Sequence, residues 1–438
     1  MLAGVGEQLR ASVLEAEAIV SGTAEDFSDD EGDDGESRDG KPDIQLGFAG
    51  RESNALFSGA DWREWDGGKV GGRPVWLDPA NLPQPADLAC PRCQEPMKFL
   101  LQIYCPLDEP AAAFHRALYL FCCRKAACVA SGGGSIKCLR NQLGRRNSFY
   151  PEDPSVMSQP PPAAAAVAAV LCQVCGCRAP NRCSVCKEAS YCSKLHQKSH
   201  WRHHKRACNK KPTSEDVSEA GEGAGDVDVE NVWLFPEFSL TVEPEEFDDE
   251  DLVNAAASTT IWEDAVTAGG RDEEDDAKLT QSDYDKALGS EATDPVYVRF
   301  LARVNRGGSE QVLRYSRWRG GPLPISSAVS SSEFLPACCD RCGSERAFEV
   351  QIMPQLLHFL HVDRRTKATS SAEVSRQLNE PLEGEALAFD NSLHEDIDWG
   401  TIDVYTCMGS CDSTCGEPSH YYPEVVRMQP PMQFRKAP

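Results

Sequence analysis

Cys90-Pro91-Arg92-Cys93-Gln94-Glu95-Pro96-Met97-Lys98-Phe99-Leu100-Leu101-Gln102-Ile103-Tyr104 joins a two-cysteine turn to a run of strand composition, and the chain uses this arrangement twice. Reduced to Cys90-x2-Cys93-x5-Phe99-x2-Gln102-Ile103, it matches Cys339-x2-Cys342-x5-Phe348-x2-Gln351-Ile352 without a gap. Downstream, Leu120-Phe121-Cys122-Cys123 matches Val404-Tyr405-Thr406-Cys407, and one further cysteine follows in each copy, Cys128 and Cys411. Two separate segments matching in the same order signal an internal duplication. The runs 99–104, 117–121, 348–353 and 401–406 have strand length and composition, so both copies are expected to be β-rich. A polar stretch of about 35 residues, 362–396, interrupts the second copy.

Each copy offers a four-cysteine set, Cys90, Cys93, Cys123 and Cys128 in the first and Cys339, Cys342, Cys407 and Cys411 in the second. The alignment selects Cys123 over Cys122, because Phe121 and Tyr405 then both lie two residues before the third cysteine. Two matched doublets favour zinc over buried free thiols, and a zinc ion would staple strand ends in a short, loop-rich unit. Cys105, Cys122, Cys138, Cys177, Cys338 and Cys415 need no metal and read as ordinary structural cysteines.

Between the copies lies Cys172-x2-Cys175-x7-Cys183-x2-Cys186-x5-Cys192-x3-His196-x7-His204-x3-Cys208. A Cys-x2-Cys turn lets two thiolates reach one ion, and an x3 spacing puts two ligands on one face of a helical turn. Eight ligands in pairs make two tetrahedral sites. Consecutive doublets would close the shortest loops, whereas interleaved doublets would tie both ends of the segment together. The segment has almost no apolar core, so metal binding, worth about 10–16 kcal/mol per structural site, has to drive its folding.

Charge divides the rest of the chain. Of 438 residues with net charge −25, residues 1–43 carry −10 and residues 212–283 carry −21, leaving about +6 on the remainder. Such acidic runs repel themselves and stay extended. With mean hydropathy −0.44, part of the chain is expected to be unstructured. The division expected is a disordered acidic tail at 1–43, a β-rich zinc-binding unit at 44–150, a Pro/Ala linker at 151–170, a Cys/His block at 171–211, an acidic linker at 212–230 and a second β-rich unit at 231–438. The second unit carries a disordered acidic insertion at about 246–282. The longest apolar run, 163–171, is about half of what a membrane span needs, and Glu7, Arg10, Glu15 and Glu17 occupy the place of a signal peptide's apolar stretch. A soluble protein of a reducing compartment is therefore expected, and its 20 cysteines read as metal ligands before disulfides.

The middle block, with Tyr191 before Cys192, Gln197 after His196 and Trp201-x2-His204-Lys205-x2-Cys208, resembles the MYND-type zinc finger. That resemblance implies interleaved pairing, with Cys172, Cys175, Cys192 and His196 at one zinc and Cys183, Cys186, His204 and Cys208 at the other. MYND fingers usually carry cysteine where this chain has His196, and imidazole keeps the coordination intact. His200 and His203 fall off the ligand pattern and read as surface residues. Outside the finger, Leu46-Gly47-Phe48, Val70-Gly71-Gly72-Arg73-Pro74-x-Trp76-Leu77, Phe99 to Tyr104 and Arg140-Asn141-Gln142-Leu143 resemble the N-terminal half of the programmed cell death protein 2 family. Phe235-Pro236-Glu237-Phe238, Gln311-Val312-Leu313-Arg314-Tyr315, Met353-Pro354-Gln355-Leu356-Leu357 and Asp398-Trp399-Gly400-Thr401 resemble its C-terminal domain. The fold class expected is β-rich α+β, two homologous zinc-stapled β units flanking an inserted small finger.

No catalytic role is expected. Every site proposed is filled by four protein ligands, and no phosphate loop, Gly-x-Ser-x-Gly elbow or His-Glu-x-x-His motif occurs. Residues 171–210 hold nine basic side chains against one acidic, a footprint nucleic acid could use, but without the aromatic interleaving of a single-strand binder. Direct nucleic-acid binding and membrane contact are not expected. The family resemblance implies a dedicated chaperone for a small-subunit ribosomal protein in 40S ribosome biogenesis, a basic protein client that suits acidic segments. The alternative is a nuclear transcription adaptor that recruits corepressor partners through the finger and is linked to cell death. The cytoplasm is the compartment expected, with the nucleus also open, because Lys205-Arg206 and Lys210-Lys211 form only a weak basic cluster.

Overall fold

The structure is a computed structural model that describes residues 44–52, 68–150, 169–208, 233–245, 294–330, 334–362, 397–412 and 420–432. The acidic tail, most of the Pro/Ala linker, the acidic linker, the acidic insertion, most of the polar stretch at 362–396 and Cys415 lie outside the described residues. No described helix is long and apolar enough to cross a membrane.

The first copy supplies β1 (Gln45–Glu52), β2 (Gly68–Val70), β3 (Lys98–Tyr104), β4 (His115–Cys122) and β5 (Ile136–Leu143). The finger contains β6 (Asn181–Arg182) and β7 (Ser190–Tyr191), and the second copy supplies β8 (Phe238–Pro244), β9 (Gln311–Tyr315), β10 (Arg346–Ile352), β11 (Thr401–Cys407) and β12 (Tyr422–Gln429). The two copies do not close separate sheets. Their ten strands form one antiparallel barrel in the order β1-β8-β2-β3-β4-β5-β12-β11-β10-β9. The first strands are exchanged, since β1 pairs with β9 of the second copy and β8 pairs with β2 of the first. The barrel thus has two matching halves that meet at two seams, β1–β8 and β5–β12.

The duplication is visible at single residues. The β3–β4 pairing slips at Leu100 and the β10–β11 pairing slips at Glu349, one bulge at aligned positions. Gln102 Oε1 accepts from the Val75 backbone N–H at 2.8 Å while its Nε2 donates to the Val75 carbonyl at 3.2 Å. Gln351 holds Leu323 through the same two bonds, at 3.0 and 2.8 Å. Strand-exit turns correspond as well, but with different chemistry. Gly71 and Gly72 adopt φ of 62° and 64°, and a Cβ on Gly71 would meet the Pro236 carbonyl oxygen at 1.8 Å. In the second copy Arg317 and Trp318 take φ of 43° and 67°, positions that cost L-residues conformational energy. The Trp318 indole offsets this by donating to Thr406 Oγ1 at 2.7 Å.

Apolar residues such as Leu101, Leu118, Leu120, Val350, Ile402 and Val404 fill the core, together with a ring cluster of Trp76, Tyr119, Phe121 and Tyr421. One charged pair also crosses the barrel. Arg116 on β4 and Glu349 on β10 sit on strands that are not neighbours, and both side chains are fully buried. The guanidinium donates to both carboxylate oxygens at 2.5 and 2.7 Å, and Tyr315 and Thr406 donate to the same carboxylate. Burial alone would push the Glu349 carboxyl up, but Arg116 and these hydroxyls hold it below the ordinary carboxylate range. Helix α1 (Ala126–Ala130) follows β4 and presents Cys128. Helix α2 (Lys194–Cys208) belongs to the finger. Helix α3 (Pro295–Gly307) starts at an Asp294 cap with proline at its first position and buries Phe300 and Val304 against Ile325 and Met353.

Candidate metal centres

All four Cys-x2-Cys turns are the same knuckle. In each, the residue four places after the first cysteine donates its N–H to that cysteine's carbonyl, Gln94 to Cys90, Gly176 to Cys172, Lys187 to Cys183 and Gly343 to Cys339, at 2.8–3.0 Å. The same four residues have positive φ, from 60° to 77°. The turn reverses the chain tightly enough for both thiols to face one point. Backbone N–H groups then aim at sulfur. The Cys183 thiol is lowered to about 6, first by the Cys186 N–H, and the Cys342 thiol to about 6, first by the Ser344 hydroxyl.

The knuckles meet their partners as four clusters whose donor atoms lie within 4.8 Å of one another. Cys172 and Cys175 join Cys192 and His196, while Cys183 and Cys186 join His204 and Cys208. The finger's doublets are thus interleaved, with β7 delivering Cys192 and α2 delivering His196, His204 and Cys208. Cys90 and Cys93 meet Cys123 and Cys128, and Cys339 and Cys342 meet Cys407 and Cys411. The sulfur–sulfur separations Cys93–Cys123, Cys175–Cys192, Cys183–Cys208 and Cys339–Cys411 are 3.6–3.8 Å. A tetrahedron with Zn–S bonds of about 2.3 Å has edges of about 3.8 Å, so the donor sets fit zinc. His196 offers Nδ1, 3.6 Å from Cys172 Sγ, and His204 offers Nε2, 3.5 Å from Cys186 Sγ. The structure leaves Cys122 out of the clusters, buried on β4 with its thiol pushed up to about 12 by desolvation.

The surroundings of the two outer clusters differ. Near the first, Glu95 pairs with Arg124 and Lys125 at 2.8 Å, all within one copy. Near the second, Arg140 of β5 reaches across the seam to the Cys411 carbonyl at 3.0 Å and its sulfur at 3.7 Å. Gln142 donates to the Ser410 carbonyl at 2.8 Å and accepts from the Ser410 hydroxyl at 3.0 Å. Glu424 accepts the Cys407 N–H and pairs with both Arg140 and Arg346.

The finger is fastened to the barrel through its first knuckle. Arg73 donates to the Gln173 and Val174 carbonyls, and the Trp76 indole donates to the Gly176 carbonyl at 2.8 Å. The Trp233 ring packs against His196 at a tilt of 60°, centroids 4.4 Å apart, and the Arg124 guanidinium lies over the Trp233 ring at 4.3 Å from its centroid. Sequence reasoning missed this fastening, because Trp76 and Trp233 stand in the sequence as isolated aromatics with nothing to mark their contact with the finger. It also placed His200 on the surface, whereas His200 is half-buried and bonded to the Tyr191 hydroxyl at 3.0 Å, and His203 is exposed. Cys338 is exposed beside the second outer cluster, and Cys105 is buried 3.1 Å from Arg116.

Comparison with known proteins places these features in a family. Residues 43–157 match the N-terminal domain of programmed cell death protein 2, residues 294–430 its C-terminal putative domain, and residues 172–208 the MYND finger. Programmed cell death protein 2 of Bos taurus is 36% identical over 351 residues, covering 78% of this chain and 86% of the relative. The protein of that name from Mus musculus is 35% identical over 385 residues, covering 85% and 93%. A programmed cell death protein 2-like protein of Mus musculus is 30% identical, covering 79% and 86%. No solved structure matches the chain. With its finger inserted between the two halves of one barrel, the chain belongs to the programmed cell death protein 2 family.

Proposed function

We propose that the protein is a non-enzymatic, zinc-dependent interaction factor that escorts a small-subunit ribosomal protein during 40S ribosome biogenesis, mainly in the cytoplasm. The observation that carries the non-enzymatic part is the closure of the metal centres. Each of the four clusters supplies four protein donors, leaving no position for water or substrate, so one zinc per cluster acts as a staple. The escort part rests on the family resemblance and on charge. Segments 1–43 and 212–283 carry −10 and −21, which favours capture of a basic client and disfavours free nucleic acid.

A second reading, the nuclear adaptor, draws on the finger's surface. Val185, in the second knuckle, is 64% exposed, and Trp201 is 45% exposed on α2 among that helix's basic residues. One experiment separates the two. Tagged protein is captured from cytosolic extract with RNase present, at low and moderate salt, and the co-purifying chains are identified by mass spectrometry. A single stoichiometric small-subunit ribosomal protein, without the rest of the ribosome, supports the escort. Chromatin or corepressor proteins, with no ribosomal protein enriched, overturn it in favour of the adaptor. Replacing Cys183 and Cys186 with serine leaves client capture intact under the escort reading and abolishes partner binding under the adaptor reading.

A further inference from the structure

The two seams that join the barrel's halves are unequal. The β1–β8 seam pairs six residues of each strand, whereas β5–β12 pairs three, Tyr422 with Arg140, Pro423 with Leu139 and Glu424 with Cys138. Pro423 has no N–H to give the ladder. Backbone bonding at β5–β12 is therefore sparse, and side chains close it. Arg140, Asn141, Gln142 and Glu424 form that closure; Asn141 donates to the His420 carbonyl at 2.8 Å, and the other three bond to the chain around Cys407 to Cys411. The second outer cluster is also the most open of the four. Cys342 is exposed and Cys411 half-buried, whereas the first finger cluster is wholly buried and the other two each have one half-buried cysteine.

We propose that Cys339, Cys342, Cys407 and Cys411 form the exchangeable zinc site of the protein, and that its occupancy latches the β5–β12 seam. The zinc holds the turn at 407–411 in the one geometry in which the Ser410 and Cys411 carbonyls face Gln142 and Arg140. When the ion leaves, nothing holds the four sulfurs to one point, the turn relaxes, and the acceptors that Arg140 and Gln142 rely on move away. Arg140 keeps Glu424, so β12 is loosened rather than unfolded. The first outer cluster lies away from this seam: Glu95 pairs with Arg124 and Lys125 of its own copy, and Arg124 reaches Trp233 and through it the finger, not β12. This inference is independent of which partner the protein binds.

The test uses the full-length zinc-loaded protein and a chelator, 4-(2-pyridylazo)resorcinol, added in steps. Native mass spectrometry counts the zinc retained, and thiol alkylation followed by peptide mapping identifies the cluster that opened. Hydrogen exchange reports the strands. The expected first event is loss of one zinc of four, with Cys339, Cys342, Cys407 and Cys411 becoming alkylated while Cys338 is labelled before and after. Exchange should rise in 136–143 and 422–429 and stay unchanged in 45–52, 238–244 and 194–208. Release of the first zinc from the finger or from Cys90, Cys93, Cys123 and Cys128 overturns the exchangeable-site assignment. Release from the proposed cluster with unchanged exchange in β5 and β12, or with exchange rising throughout the barrel, overturns the latch. Gln142→Ala removes the two bonds to Ser410 and the one accepted from Arg140, and no metal ligand. It should accelerate the first release and leave the later three as they were, and an unaltered first release contradicts the coupling.

Discussion

The two outer cysteine clusters share spacing, knuckle and position on aligned strands, yet one is a local staple and the other a joint between the barrel's halves. Cys90, Cys93, Cys123 and Cys128 close on α1 and on a charge pair within their own copy. Cys339, Cys342, Cys407 and Cys411 are more exposed, and their supporting bonds come from β5 on the other side of a seam. Duplication thus preserves the ligand set while leaving its neighbours free to change. A metal-ligand pattern alone does not state what the metal holds together.

Removing a ligand from each cluster is the most forceful way to break this comparison. Cys123→Ser empties a buried staple, and a loss of about 10–16 kcal/mol of zinc binding exceeds the stability of most domains. No soluble, cooperatively melting protein is expected from it. Cys342→Ser should yield folded protein with three zinc ions and a lower melting temperature. Equal outcomes for the two variants, read from soluble yield and thermal melts, would erase the distinction.

The second test moves to the pair that crosses the barrel. Glu349→Gln leaves Arg116 buried without a full charge partner and should cost about 3–5 kcal/mol in denaturant unfolding. Replacing both, as Arg116→Met with Glu349→Leu, should recover most of that loss, because an apolar pair needs no compensation. A double variant as unstable as the single one would mean that the pair holds the halves together by more than charge balance.

Smaller differences should follow at the aligned glutamines. Gln102→Ala and Gln351→Ala each strip the acceptor from one backbone N–H, while the Val75 and Leu323 carbonyls keep Tyr119 and Gln429 as donors, a loss of about 1–3 kcal/mol. The second should be the larger, since Gln351 Nε2 also donates to Asp403 at 3.0 Å while the aligned position in the first copy is Tyr119. Paired chemical melts of the two variants measure the difference.

Asp403 provides the finest distinction. Burial pushes its carboxyl up to about 6, partly offset by hydrogen bonds from Gln429, Thr401 and Gln351. Between about pH 4, where the unfolded chain ionises this group, and pH 6, the folded protein retains the proton, so Asp403 lowers stability as pH rises and its effect levels off above 6. Asp403→Asn should flatten that decline, seen as a wild-type minus variant difference in unfolding free energy that changes across this window. A difference independent of pH would mean that Asp403 is ionised in the folded protein throughout.

Much of the ligand geometry was legible because cysteine spacing is a direct constraint on chelation. The choice of Cys123 over Cys122 came from the repeat register, and the structure brings Cys123 to the cluster while Cys122 faces the barrel core. The β strands were legible from Phe99 to Tyr104 and from Thr401 to Thr406 for the same reason, a local pattern with a local cause. Closure of the barrel was not. The exchange of β1 and β8 depends on long-range pairing, and their residues carry no mark of which copy they will join. Arg116 and Glu349 were equally silent, since a buried ion pair looks like surface charge until both strands are placed. The Arg317-Trp318 turn was hidden because neither residue is a glycine, whose presence would signal positive φ as it does at Gly71-Gly72.

The account stands most directly on the number of metal ions in the folded chain. Native mass spectrometry of the purified full-length protein, compared with the mass after acid denaturation, should show four zinc ions, two in the finger and one in each outer cluster. Two zinc ions, with the outer cysteines alkylated as free thiols in the folded state, would contradict it.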